Sequence, residues 1–107
     1  MNSTMKIIFF DNSVKKLIRN LEKPTASKVF RMIDLLERYG FGLKMPHSRR
    51  IDKNLYELRI RGRQEVRIFY AFHNDAILLH GFVKKTGKTP ERELEVVRRK
   101  LECIDRR

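Results

Sequence analysis

The sequence has little of what a disulfide framework, a metal centre or a membrane anchor requires. It contains one cysteine, Cys103, which excludes an internal disulfide. Its histidines, His47, His73 and His80, have neither metal-ligand spacing nor cysteine neighbours, so we expect no metal site. The longest uninterrupted apolar run, Ile68 to Phe72, is far below the roughly 18 residues that indicate a membrane span, and we expect no membrane partner.

Glycine and proline are also scarce, with five and three residues in a chain of 107. Apolar residues make up 41% of the chain, whereas disorder needs low hydrophobicity together with high charge. The apolar run Ile7 to Phe10 stops at Asp11 and is too short for a signal-peptide core. The composition therefore predicts a folded, cytoplasmic protein that forms a single domain over residues 1–107 and needs no cofactor.

Negative charge is scarce relative to positive charge. Asp and Glu number 13 against 25 Lys and Arg, which gives a formal net charge of +12 and a pI near 10.4. Such an excess is typical of proteins whose partner is a polyanion. The number alone leaves open whether the charge forms a binding site or only a solvated surface.

Hydrophobic spacing predicts one strand and two helices in the first part of the chain. Met5 to Phe10 is short, β-branched and aromatic, as in a strand. After three residues of N-cap type, apolar side chains recur at helical spacing from about Ser13 to Leu21. A second apolar stripe begins after Pro24 and stops at Gly40, so the two helices should form a hairpin.

The rest of the chain predicts a loop, three strands and a final helix. Phe41 to Asn54 has no usable periodicity and should be an exposed loop. Residues 55–61 and 65–72 alternate with period two, and the nearly all-apolar Ala76 to Val83 is typical of a central strand. A last helix, N-capped by Thr89, should follow. The order β-α-α-β-β-β-α predicts an α+β fold, with a four-stranded, mostly antiparallel sheet packed against an N-terminal helix hairpin and a C-terminal helix.

The register of the predicted hairpin places two positive charges side by side. A three-residue loop, Gly62 to Gln64, keeps the polar and apolar faces consistent and sets Arg59 opposite Arg67. Like charges directly opposite are destabilising unless an anion lies between them. The alternative is that the two arginines are solvated or pair with Glu57 and Glu65.

Most of the remaining candidate residues lie in the hairpin and in two basic segments, Lys44 to Lys53 and Lys84 to Lys88. Tyr56, Phe69 and Tyr70 are interleaved with them, although such aromatics are more often core residues than stacking platforms. Lysine and arginine contacts to phosphate give affinity for nucleic acid irrespective of its sequence. We expect RNA contacts from Lys44, His47, Arg49, Arg50, Lys53, Arg61, Arg63 and Lys88.

Three motifs carry a resemblance to a known family. They are LYELRI at Leu55 to Ile60, VRIFY at Val66 to Tyr70 and LLHGFVKKTGKTPERE at Leu78 to Glu93. With the leading strand and helix hairpin, most of the chain resembles the RelE/ParE toxin superfamily. It is most similar to the HigB-like branch, which includes the phage-derived Gp49-like proteins.

The resemblance implies a RelE-like fold and a toxin of a type II toxin–antitoxin system. Such a toxin is a metal-independent endoribonuclease that cleaves messenger RNA in the ribosomal A site, next to ribosomal RNA, and is neutralised by a cognate antitoxin. The RNA 2′-hydroxyl attacks the adjacent phosphate, so the protein positions the nucleotide, stabilises developing charge and moves protons. By the same resemblance, the catalytic residues would be Arg59, Arg67, Lys84 and Lys85.

The resemblance leaves the general base open. Some relatives have a tyrosine near the C-terminus, where this chain has Cys103 to Arg107. Lys84, Lys85, Glu57 and His47 are the remaining candidates. Two other functions stay open with it, namely a ParE-like gyrase inhibitor without nuclease activity and a nucleic-acid-binding module without catalysis.

Overall fold

A five-stranded sheet with three α-helices forms the part of the chain that the structure describes. The computed structural model describes residues 5–106, so Arg107 of the predicted C-terminal segment lies outside it. A single 3-10 turn, Gly40–Gly42, follows the second helix. The elements are, in chain order, β1 Ile7–Phe9, α1 Ser13–Arg19, α2 Lys23–Tyr39, β2 Ser48–Asp52, β3 Leu55–Ile60, β4 Val66–His73, β5 Asp75–Val83 and α3 Glu91–Asp105.

The strand order is β1-β5-β4-β3-β2. β1 pairs with β5 in parallel, and the other three pairings are antiparallel. β5 therefore lies inside the sheet, as its nearly continuous apolar sequence predicts. The α+β class is confirmed. No helix within residues 5–106 is long and apolar enough to cross a membrane.

The prediction of a four-stranded sheet was wrong because residues 41–54 are not all loop. They contain β2, an edge strand in which only Ser48 is buried, so its sequence has no apolar alternation to reveal it. Backbone pairing with β3 holds the strand, and the Ser48 and Tyr70 hydroxyls lie 2.5 Å apart. Burial raises the pKa of Tyr70, so its phenol stays protonated and serves as an anchor for β2.

Helix ends differ from the predicted ones by one or two residues. α1 ends at Arg19 rather than Leu21. α3 begins at Glu91, and its N-cap is Pro90 rather than Thr89, because Pro90 has an extended ψ of 141°. These shifts leave the apolar stripes of the helices unchanged.

The two faces of the sheet pack against different helices. On one face, Val14 of α1 and Leu36 of α2 are fully buried in a cluster that contains Ile68 of β4. On the other face, Val97 and Ile104 of α3 pack in a cluster with Phe69 and Leu79, among others. The predicted apolar stripe of the last helix is thus confirmed, and β4 and β5 are covered on both sides.

Gly81 of β5 lies in close contact with α1. A Cβ atom at this position would meet Leu17 Cδ2 at 2.7 Å, Ile68 Cγ1 at 3.1 Å and the Arg67 carbonyl oxygen at 3.2 Å. The absence of a side chain at Gly81 therefore sets the distance between α1 and β5.

We expect Gly81→Ala to lower the free energy of unfolding by about 1–3 kcal/mol, because overpacking forces α1 away from the sheet. Urea unfolding followed by circular dichroism measures the loss. Gly42→Ala is the matched control, since a Cβ atom there meets nothing within 4 Å. Equal stability of the two variants would contradict this account of the α1 contact.

Asp11 connects the turn before α1 to α3. Its Oδ1 accepts the Ser13 N–H at 2.9 Å, and Lys100 Nζ lies 3.0 Å from its Oδ2. Lys100 also donates to the Leu79 carbonyl oxygen at 2.9 Å, so the ammonium group joins three elements. Partial burial raises the pKa of Asp11, but the Ser13 hydrogen bonds and the Lys100 charge outweigh it and lower the pKa to about 2.

We expect Asp11→Asn to cost about 0.5–1 kcal/mol of unfolding free energy at pH 7, a small value because the carboxylate is partly exposed and screened. A lowered folded-state pKa stabilises the protein above the ordinary pKa of 3.8, and this contribution is lost as the pH falls towards 2. The difference from wild type should therefore shrink between pH 4 and about 2 in urea titrations. Asp34→Asn, exposed on α2, removes the same charge and is the control; a pH-independent Asp11→Asn effect would refute the assignment.

Candidate active site

The register of β3 and β4 brings the predicted arginines together. Arg59 lies opposite Arg67, and Glu57 opposite Phe69, as the sequence predicts. Arg49 of β2 lies opposite Glu57 on the other side, so Arg49, Glu57 and Phe69 form one row across the sheet. This row and the arginine pair lie on the sheet face that α3 partly covers.

Glu57 is a buried carboxylate surrounded by three guanidinium groups. Its side chain is only 3% exposed. Arg49 Nη2 and Arg59 Nε lie 3.5 and 3.8 Å from its Oε1, and Arg67 Nε lies 4.0 Å from its Oε2. Arg67 is as deeply buried as Glu57, whereas Arg49 is more than half exposed. The positive charge between the two strands is thus partly balanced by an internal anion.

Glu65 supplies a second internal anion at the end of the hairpin. Its Oε1 accepts from Arg67 Nη2 at 3.2 Å and lies 3.1 Å from Arg61 Nε. The Gly62 N–H, which donates to Oε2 at 3.0 Å, together with Arg67 and Arg61 holds the pKa of Glu65 below its usual value. The pairing of the two predicted arginines with Glu57 and Glu65 is therefore the alternative that the geometry favours.

A cleft of about 310 Å³ opens beside this network, between β2 and the start of α3. Glu57 and Phe69 contribute from the sheet, Arg49 from the edge strand, and Lys84 and Lys88 from the segment that follows β5. Three cationic side chains thus converge on the wall that contains the buried carboxylate. Its remaining lining residues are Ile51, Gly87, Thr89, Glu91 and Leu94.

The predicted catalytic residues separate into two groups. Lys84 is partly buried in the cleft wall. Arg67 and Arg59 do not line the cleft and form ion pairs with Glu57. Lys85 is exposed and does not line the cleft, although it is adjacent in sequence. Residues that alternate along an extended segment point in opposite directions, so only one of the two lysines reaches the cleft.

The predicted RNA-binding residues are all exposed, but they occupy several places. Arg49 and Lys88 line the cleft. Arg50 donates to backbone carbonyls of the β2–β3 turn, where Lys53 also lies. The others lie before β2 and in the β3–β4 turn, and comprise Lys44, His47, Arg61 and Arg63. Apart from Lys88, these residues lie before or along β2 and in the turns at the two ends of β3, and we call them the basic margin.

The four candidates for the general base lie in different places relative to the cleft. Glu57 and Lys84 line it. His47 lines a different groove, against α2, and Lys85 faces solvent. Within the described residues no group of three His, Cys, Asp or Glu side chains is arranged to hold a metal ion.

The α3 wall of the cleft was missed by sequence reasoning. Thr89, Glu91 and Leu94 line it, and nothing in the local sequence indicates that α3 begins over the β2–β3 side of the sheet. A pair between His80 Nε2 of β5 and Glu93 Oε1 of α3, 2.6 Å apart, helps to hold this wall. His80 is thus a partly buried residue whose ring nitrogen is paired with α3.

Of the three interleaved aromatic residues, only Phe69 borders the cleft. Tyr56 and Tyr70 stack on one another with ring centroids 5.4 Å apart and pack in the core under the helix hairpin. The interpretation of these aromatics as core residues holds for all three, since Phe69 is fully buried in the cluster under α3.

The cleft combines the groups that phosphate chemistry needs. Ammonium and guanidinium groups bind a phosphodiester and stabilise additional negative charge on it. A carboxylate beside them is a hydrogen-bond acceptor, the type of group that can take a proton from a hydroxyl. The arrangement suits a reaction in which a bound hydroxyl attacks a phosphate.

Comparison with known protein families identifies one family that matches most of the chain. The family model described as phage-derived protein Gp49-like (DUF891) matches residues 16–102, a range that contains β2 to β5 and every residue that lines the cleft. That family belongs to the RelE/HigB toxin-like group and is associated with the toxins of toxin–antitoxin systems. No curated protein matches the chain. The chain belongs to the Gp49-like family of phage-derived proteins.

Proposed function

We propose that the protein is the toxin of a type II toxin–antitoxin system and cleaves messenger RNA on the ribosome. The observation that carries the proposal is the cleft in which Arg49, Lys84 and Lys88 face the buried Glu57. Family membership supports the toxin assignment, and the convergent cations support a phosphodiester substrate.

The proposed reaction needs no nucleophile from the protein. The RNA 2′-oxygen bonds to the adjacent phosphorus, the bond to the 5′-oxygen breaks, and the products are a 2′,3′-cyclic phosphate and a 5′-hydroxyl. One proton leaves the 2′-hydroxyl and another is gained by the 5′-oxygen. DNA lacks the 2′-hydroxyl and is not a substrate for this chemistry.

Each cleft residue has a role in this scheme. Glu57 accepts the proton, because an ionised carboxylate has free lone pairs whereas an ammonium group has none. Lys84 protonates the leaving 5′-oxygen and, with Arg49, stabilises the charge on the phosphate. Arg67 and Arg59 hold the Glu57 carboxylate in place from the sheet side, at 4.0 and 3.8 Å.

The exposed basic margin gives the ribosome a place to bind. Its residues outside the cleft include Lys44, Arg50, Lys53 and Arg63, which lie before or along β2 and in the turns at the two ends of β3. Phosphates of ribosomal RNA would bind these exposed cations. Orientation by the ribosome supplies part of the rate enhancement, since a small open cleft alone gives limited positioning.

We expect Lys84→Ala to reduce cleavage by on the order of 10²-fold, the usual cost of removing one charge-stabilising donor. Cleavage is measured as 5′-end formation on a message bound to ribosomes. Lys85→Ala is the matched variant, with the same change one residue away but outside the cleft, and its loss should be much smaller. Thermal unfolding of both variants checks that the fold is retained.

Equal losses for the two lysine variants would contradict the placement of the reaction in this cleft. Expression of the wild-type chain in cells tests the function itself. DNA damage with intact transcripts would favour a gyrase inhibitor. Intact transcripts together with RNA binding that weakens steeply with salt would favour a binding module without catalysis.

We expect Glu57→Gln to lower cleavage by about 10²-fold or more while RNA affinity stays the same or rises, because the cleft loses its proton acceptor and one negative charge. Single-turnover cleavage and RNA binding measured on the same preparation separate the two effects. Glutamine has the same shape, and circular dichroism confirms folding. A folded Glu57→Gln protein that cleaves at the wild-type rate would exclude Glu57 as the base.

A further inference from the structure

Phe41 exposes an aromatic ring outside the cleft. It lies in the 3-10 turn Gly40–Gly42 and is 68% exposed. Its ring packs on Phe72 of β4, with the ring centroids 4.1 Å apart. Phe72 packs against the cluster beneath the helix hairpin, whereas Glu57 and Phe69 line the cleft. The exposed ring therefore lies on the helix-hairpin side of the sheet, away from the proposed reaction.

Other aromatic residues support the Phe41 ring from behind. Phe72 makes edge contacts with Tyr56 and Tyr70, with ring centroids 5.1 and 5.6 Å apart. The side chain of Asn54 also holds the Phe72 backbone, since its Nδ2 donates to the Phe72 carbonyl oxygen at 2.7 Å and its Oδ1 accepts the Phe72 N–H at 3.0 Å. A ring that is already held in place loses little conformational freedom when a planar ligand stacks on it.

Positive charges lie near the exposed ring. Lys44 follows it by three residues and is exposed. Arg50 of β2 lies opposite Tyr56, so its side chain leaves the sheet on the same face as Tyr56. The Nε and Nη2 atoms of Arg50 donate to the carbonyl oxygens of Asp52 and Lys53, both at 3.0 Å, which fixes the guanidinium group at the β2–β3 turn. Cations beside an exposed aromatic ring are the combination that binds unpaired nucleic-acid strands.

A cavity of about 600 Å³ opens beside the ring and is lined by groups of both charges. Its polar lining comprises two carboxylates, an amide and two cations, which belong to Glu37, Asp75, Asn74, Lys6 and Arg38. The edge of a nucleobase carries donors and acceptors side by side, so a mixed lining can hydrogen-bond to it. An acidic or a basic peptide meets like charges on part of the same lining. The cavity therefore favours a nucleobase over a charged peptide.

We propose that Phe41 stacks on an unpaired base of ribosomal RNA. The base lies on the exposed side of the ring with its edge towards the cavity, and its phosphates lie near Lys44 and Arg50. The choice of ribosomal RNA rests on the proposed function, in which the basic margin that contains these two cations binds the ribosome. Stacking on an aromatic ring tolerates every base, so the contact adds affinity without restricting which message is cleaved.

Binding of a short oligonucleotide tests the stacking contact. The probe is a 2′-O-methyl adenine oligonucleotide that contains one 2-aminopurine, whose fluorescence falls when the base stacks. We expect the probe to shift the amide resonances of Gly40, Phe41 and Gly42 in the ¹⁵N-labelled protein. Phe41→Leu should weaken binding about tenfold and remove the fluorescence change, because leucine keeps an apolar side chain but has no ring.

Phe30→Leu is the matched control, since Phe30 is also exposed and lies on α2 outside the cavity. Phe41→Tyr retains a ring and should bind like wild type, and thermal unfolding checks that each variant is folded. Equal binding by the two leucine variants, weak binding by folded Phe41→Tyr, or amide shifts confined to Gly87 and Lys88 of the cleft would overturn the proposal. Shifts at Gly40–Gly42 caused by a leucine-rich amphipathic peptide but not by the oligonucleotide would also overturn it.

Sedimentation with ribosomes tests the source of the base. Phe41→Leu should bind message-free ribosomes about tenfold more weakly than Phe30→Leu. A loss that appears only when a message is bound would assign the base to the message and overturn the choice of ribosomal RNA. The oligonucleotide lacks the 2′-hydroxyl that the proposed reaction needs, so its binding does not depend on cleavage. Stacking of the probe by a chain that binds no ribosomes would contradict the proposed function and the choice of ribosomal RNA, but not the stacking contact.

Discussion

The interaction on which the site depends is the burial of Arg67 between Glu57 and Glu65. A buried charge without a partner costs several kcal/mol, and breaking a buried pair costs about 3–5 kcal/mol, so these three side chains must stay together. The β3–β4 register that the apolar face of the hairpin favours also brings Arg67 close to Glu57. The same network fixes Glu57 at the floor of the cleft, where Arg49 of β2 also reaches it.

The cleft exists because three elements meet above this network. β2 adds a cationic edge to the sheet, the segment after β5 brings two lysines, and α3 closes the remaining side. The His80–Glu93 pair and the Lys100 contacts hold α3 to β5 and to the turn before α1. The geometry of the cleft therefore depends on how β2 and α3 pack on the sheet and on the segment that joins β5 to α3.

The parts of this arrangement that were predictable depend on local periodicity. The Arg59–Arg67 register follows from period-two alternation, and the place of β5 inside the sheet follows from its apolar sequence. β2 was not predictable, because an exposed edge strand is held by backbone pairing that leaves no side-chain pattern. The choice between Lys84 and Lys85 needed the position of α3, which is a tertiary property.

The open edge of β2 has a further consequence for the behaviour of the free protein. An unpaired strand edge is a template for another copy of the chain, and natural sheets avoid such pairing by placing charged side chains along it. β2 carries Arg49 and Arg50 in its middle, and the opposite edge strand, β1, is only three residues long. The arginine that faces the cleft thus also opposes the addition of a strand from another copy of the chain at this edge.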